Sequence, residues 1–283
     1  MSMIIKRKPS LAALILVALV AAVACGGGSE KAAERYVAGT VFAAGGHWRN
    51  AITEFDESIR LDPYEADVHV NRGVAYAELG QFQQAIDDYD EAIRLDPELA
   101  WAYYNRALAY GNLGAFAQAV VDYSDAIKLD PKNTDAYFNR AFSHSQLGQH
   151  DLAVTDFGNA ILLDSTFIDA YSSRGTEYRI LGQYDLAIED YDQALVLRPK
   201  DAVTLVNRGI IYVSKGENER GLEDYNQAIS IDSELGIAYA NRALILAYDG
   251  LEEDARKDAE RAIALGMDRE VMEENLELNL IHQ

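Results

Sequence analysis

Between residues 66 and 99 the apolar side chains fall in two stripes. Val68, Ala75, Tyr76 and Leu79 recur at helical spacing, and beyond Gly80 a second stripe runs through Phe82, Ala85, Ile86, Tyr89, Ala92, Ile93 and Leu95. The pattern predicts two helices joined at Gly80, because glycine takes a left-handed helix end at little cost. Pro97 stops the second helix by pushing Asp96 out of helical geometry.

The same pattern returns with a fixed period. Gly46, Gly80, Gly114, Gly148, Gly182, Gly216 and Gly250 stand 34 residues apart. Ala51, Ala85, Ala119, Ala153 and Ala187 keep the same step, followed by Gly221 and Ala255, and so do Phe55, Tyr89, Tyr123, Phe157, Tyr191 and Tyr225. Pro63, Pro97, Pro131 and Pro199 form a fourth series, with Ser165 and Ser233 in its gaps. The period predicts seven repeats, at 32–65, 66–99, 100–133, 134–167, 168–201, 202–235 and 236–269, and a C-terminal capping segment at 270–283. A helical hairpin this short cannot bury its own apolar face, so neighbours must stack, and the fold class is all-α, an α-solenoid.

The second repeat carries Gly73, Tyr76, Gly80, Phe82, Ala85, Tyr89, Ala92 and Pro97, and in this it resembles the tetratricopeptide repeat family. The resemblance implies a right-handed superhelix of helix-turn-helix repeats whose first helices line a concave groove. It implies a protein- or peptide-binding scaffold rather than an enzyme, with roles in envelope assembly, secretion or pilus biogenesis among those expected. An alternative is an oligomerisation module whose groove is filled by its own tail or by another copy. The family's ligand-facing positions fall here on Val70 and Val74, on Trp101, Tyr104, Leu108 and Asn112, and on Asp135, Phe138 and Phe142. The basic clamp with which some members grip a terminal carboxylate has no Lys or Arg at these places in repeats two to four, so that ligand is not expected.

Each repeat from the second onward places an arginine where the family usually has an apolar residue: Arg72, Arg106, Arg140, Arg174, Arg208 and Arg242. A guanidinium on a packed face needs a partner. The acids Asp88, Asp122, Asp156, Asp190, Asp224 and Asp258 stand sixteen residues after one arginine and eighteen before the next. Structural ion pairs are expected, within a repeat or between repeats; the spacing allows both. One residue before the arginines stand Asn71, Asn105, Asn139, Asn207 and Asn241, with Ser173 in the fifth repeat. An amide on a groove-facing position offers a donor and an acceptor, the pair that grips a peptide unit. Such a row resembles the asparagine ladder of O-linked N-acetylglucosamine transferase, whose catalytic domain has no counterpart in this sequence. The other reading is that the amides cap or bridge neighbouring helices.

The N-terminal stretch reads differently. Lys6, Arg7 and Lys8 precede an apolar run from Leu11 to Ala24 that ends in AVAC, and Cys25 is the sole cysteine. This resembles a bacterial lipoprotein signal, which implies a signal peptide at 1–24, a lipid on Cys25, a glycine-rich linker at 25–31 and an extracytoplasmic protein anchored to the cell envelope. Ala22 stands where the family usually has Leu, and a plain secretory signal or an uncleaved anchor is the alternative.

Charge and chemistry narrow the field further. With 25 Lys and Arg against 46 Asp and Glu, the net charge is −21, which repels nucleic acid and anionic lipid. One cysteine excludes an internal disulfide framework. His47, His69, His144, His150 and His282 are scattered, and the sequence holds no glycine-rich phosphate loop, no nucleophile elbow and no HExxH. No catalytic residue, cofactor or metal is expected.

Overall fold

A computed structural model describes residues 28–281, so the signal segment and Cys25 lie outside the described residues. Two compact units divide at residues 163 and 164. The N-terminal unit holds α1 (Gly28–Ala44), α2 (Trp48–Leu61), α3 (Ala66–Glu78), α4 (Phe82–Leu95), α5 (Ala100–Asn112), α6 (Phe116–Leu129), α7 (Thr134–Gln146) and α8 (His150–Leu163). The C-terminal unit holds α9 (Ile168–Ile180), α10 (Tyr184–Leu197), α11 (Ala202–Ser214), α12 (Asn218–Ile231), α13 (Gly236–Tyr248), α14 (Glu252–Ala264) and α15 (Arg269–Ile281). The described residues thus form seven antiparallel helix pairs and one further helix. Helix α1 begins at Gly28, inside the segment 25–31 read as a linker. Glu30 in its first turn complements the helix dipole, and Ala32 and Tyr36 pull the turn onto the core.

Local chemistry sets the helix ends. At Gly80 φ is +75°, the Gly80 amide donates to Ala77 O and the Gln81 amide to Tyr76 O, which closes α3 in a Schellman turn. Where the second helix of a pair ends, Asp96 is extended (φ −137°) and its Oδ1 accepts from the Glu98 amide at 2.9 Å, stepping around Pro97. Asp62, Asp130 and Asp232 repeat the arrangement at the ends of α2, α6 and α12.

Within a pair, small residues admit rings. Ala51, Ala85, Ala119, Ala153 and Ala187 are fully buried, and Phe55, Tyr89, Tyr123, Phe157, Tyr191 and Tyr225 are the large side chains packed beside them. A Cβ at Gly73 would stand 2.6 Å from Cε1 of Tyr89, so that ring occupies the space a side chain would take. At the C-terminal end, Met272 and Leu276 of α15 cover an alanine-rich face of α13 and α14, including Ala243, Ala247, Ala255 and Ala262. First helices of consecutive pairs also touch directly: α1, α3, α5 and α7 in one unit, α9, α11 and α13 in the other.

Candidate functional site

The arginines form rungs. In all six, Nε and Nη2 donate to the two carboxylate oxygens of the aspartate sixteen residues on, at 2.6–2.9 Å. This joins the two helices of a pair. A third nitrogen, Nη1, reaches sixteen residues back, to Asp56 from Arg72, Asp90 from Arg106, Ser124 from Arg140, Asp192 from Arg208 and Asn226 from Arg242. The acid eighteen residues back does not serve as the link for Arg106, Arg140, Arg208 or Arg242, because both its oxygens already hold the preceding repeat's arginine. In the first pair, where Ala38 replaces the arginine, Glu54 takes Arg35 instead, at 2.9 Å. Tyrosine faces lie near the guanidinium groups, as in Tyr103 at 5.7 Å from Arg106 and Tyr137 at 5.7 Å from Arg140. The two-pronged bond to Asp122, and then its charge, hold Arg106 above its ordinary pKa against the cost of burial.

The asparagines divide. Asn71, only 8% exposed, donates to the Tyr36 hydroxyl at 2.7 Å, and Asn139, 1% exposed, donates to the Tyr104 hydroxyl at 3.2 Å. Both bonds tie a first helix to the first helix of the preceding pair. Burial pushes the Tyr36 and Tyr104 hydroxyls well above the ordinary tyrosine range, with Asp67 and Asp135 respectively adding to the effect. Asn105 and Asn241 instead donate to carbonyls of their own helices, Trp101 O at 2.7 Å and Ile237 O at 2.8 Å, and both are half-buried. Asn207 is half-buried as well.

The groove expectation therefore needs correcting at five residues. Asn71 and Asn139 are interior helix bridges. Val70 is fully buried between α3 and its neighbours, and Leu108 is buried with Tyr123 and Ala136. Phe138 is buried edge-on to Phe157, their centroids 5.3 Å apart. Bulk at these places fills the contact between successive helices rather than lining a surface.

What stays accessible is a stripe on α5. Trp101, Tyr104, Asn105 and Asn112 are half-buried along it. Asn112 Nδ2 donates to Leu108 O at 2.7 Å, as Asn105 does to Trp101 O, so each amide is held against its own helix by one N–H and keeps its other N–H and its oxygen for an outside partner. In the C-terminal unit, α10, α11 and α12 border an open cleft of about 490 Å³ that includes Val196, Tyr212 and Arg220. The sequence reading had not singled it out. Among the described residues no group of three or more His, Cys, Asp or Glu is placed to hold a metal, and no helix is long and apolar enough to cross a membrane. His144 is engaged with Gln149 at 2.6 Å, and His69 lies 3.6 Å from Asp88.

Comparison with known proteins accords with this architecture. Family models described as TPR repeat match residues 39–80 and 75–114, and models described as tetratricopeptide repeat match 100–133, 123–155, 168–201 and 202–235. No curated protein matches the chain. Among solved structures, the C-terminal part of a TPR repeat-containing protein from Cytophaga hutchinsonii superposes with a TM-score of 0.72 at 15% identity, covering 84% of this chain and 98% of that one. A tetratricopeptide repeat protein from Parabacteroides merdae gives 0.62 at 22% identity, over 90% of this chain and all of its own (100%). YrrB, described as a TPR protein with an unusual peptide-binding site, gives 0.60 at 23% identity, over 65% of this chain and 95% of its own. At such identities the likeness is one of fold. The family matches fall in both units, and the chain belongs to the tetratricopeptide repeat family, whose members are typically non-enzymatic scaffolds that bind proteins or peptides.

Proposed function

We propose that this chain is a non-catalytic scaffold that holds an extended segment of a partner protein along the exposed stripe of α5. The observation that carries the reading is the orientation of Asn105 and Asn112, each of whose nitrogens gives one bond to its own helix, which leaves the second N–H and the oxygen for a ligand. Acceptors spaced along one helix, beside the faces of Trp101 and Tyr104, suit the backbone N–H groups and bulky side chains of an extended peptide. The scaffold is tethered by a lipid on Cys25 to the outer side of a bacterial membrane, where envelope assembly, secretion or pilus biogenesis supplies its partner.

Two experiments test this. Peptides selected from a random display library against the full chain should bind a variant carrying both Asn105→Ala and Asn112→Ala roughly tenfold more weakly. Equal binding would remove the stripe from the proposal. Metabolic labelling with palmitate should mark the chain and fail on Cys25→Ser; label on the variant would remove the tether.

A further inference from the structure

The cleft of the C-terminal unit is a separate place from the α5 stripe, and its chemistry is different. Leu195 and Val196 of α10 give it an apolar wall, and Val196 is 71% exposed. By the 34-residue period, the places equivalent to Val196 are Arg60, Arg94 and Lys128 in α2, α4 and α6, and the exposed Leu162 in α8. In α2 and α4 those arginines lie on Glu57 and Glu91 of their own helices. Valine has no such stem to lay over the surface, and α10 has Gln193 in place of the acid.

The cations already in the cleft are spent. Arg208 is the rung arginine, held by Asp224 through Nε and Nη2 and by Asp192 through Nη1. Arg220 lies over the Tyr212 ring, 3.8 Å from its centroid, with Nη2 on the Tyr212 hydroxyl and Nη1 on Glu217, both at 2.6 Å. Acceptors remain. The Asp192 side chain is 47% exposed and receives one bond from Arg208, and Glu223 of α12 is exposed at the rim. An anion entering here meets a chain of net charge −21, whereas a cation is drawn in.

We infer that this cleft receives a lysine or arginine side chain from a basic segment of a partner protein, with its aliphatic stem along Leu195 and Val196 and its charged head toward Asp192 and Glu223. Only an amphipathic cation satisfies both walls at once: the stem covers exposed apolar surface while the head keeps its acceptors and its access to water. The opposite charge of segment and scaffold favours encounter and register.

The test uses the full chain and a short fluorescein-labelled peptide alternating lysine with leucine, followed by fluorescence anisotropy. The lysine peptide should bind, and the same peptide with glutamate in place of lysine should not. Val196→Arg, which lays the chain's own cation over the wall, and Glu223→Lys should each weaken binding roughly tenfold. Both positions are exposed, so circular dichroism should show unchanged helix. Asp87→Lys, the same charge reversal at the equivalent exposed place on α4, should leave affinity unchanged. If Asp87→Lys weakens binding as much as Glu223→Lys, the attraction belongs to bulk charge and the assignment falls. Spermidine that displaces the peptide at equal concentration would assign the cleft to a free polyamine and overturn the protein partner. The Asn105→Ala and Asn112→Ala pair should not change lysine-peptide binding, so this cleft and the α5 stripe succeed or fail separately.

Discussion

Asn71 on α3 and Asn105 on α5 hold the same place in consecutive repeats, each followed by a rung arginine, yet one is a buried strut and the other a half-exposed amide. The deciding residue lies 35 positions earlier. Before Asn71 it is Tyr36 and before Asn139 it is Tyr104, and each supplies a hydroxyl to the amide nitrogen. Before Asn105 and Asn241 it is Val70 and Val206, both buried and without a polar atom to offer, and the amide turns to its own helix. Before Asn207 it is Ser172, whose hydroxyl is engaged with Thr204 at 3.2 Å. A side chain's availability to a ligand thus depends on what its neighbour can absorb, and identical residues in register need not share a role.

The largest expected effect concerns the arginine row. Asp122→Ala and Asp156→Ala each remove the two-pronged partner of a part-buried guanidinium, beside Asn105 and Asn139 respectively. Each should cost up to about 3–5 kcal/mol in denaturant unfolding, Asp156→Ala the more, because Arg106 keeps Asp90 and Arg140 keeps the uncharged Ser124. Equal losses would mean that the bond from Arg106 back to Asp90 supports nothing. Next comes Tyr104→Phe, which leaves the buried Asn139 amide without its hydroxyl. Asn139 Oδ1 already has no partner, so the loss should cost about 1–3 kcal/mol. A neutral result would mean that the hydroxyl bond supports nothing. Asn105→Ala should change stability by no more than about 0.5 kcal/mol, since the amide is half-exposed and bonded to a carbonyl already in the helix ladder. Its effect is expected on peptide binding instead.

The smallest effect is one of pH. Burial, with Asp96 adding to it, holds Asp67 above the ordinary carboxylate range, close to the Tyr36–Asn71 strut. The folded chain therefore takes up this proton more readily than the unfolded chain. Ionised Asp67 costs stability, and that cost is relieved as pH falls through its raised pKa. The wild type should gain on Asp67→Asn as pH is lowered from about 7 toward about 4. Unfolding midpoints of the pair measured across that range check the sign, and a gain by the variant would refute it.

Much of this is legible in the sequence. The Gly80 turn and the Asp96–Pro97 stop rest on contacts within one hairpin, where spacing along the chain nearly determines spacing in space; the choice of Asp88 by Arg72 came from the structure, since the spacing allowed the acid of either repeat. The misplacement of Val70, Leu108 and Phe138 came from the same source. Periodicity places a residue on a face but does not say whether the next helix covers that face. The link from Arg72 back to Asp56 was also in the sequence as a recurring polar position, but it was hidden behind the more obvious acid series.

The 34-residue period by itself determined the helices and their ends, because these depend on neighbours along one hairpin, while it left each arginine an acid on either side. Only the tertiary structure decided which asparagines are struts, which face outward, and that the wall beside Val196 stands open. The asparagine outcomes depend on side chains about a repeat apart, brought together by the packing of one hairpin on the next, and a hydroxyl or a valine at that distance reverses the result.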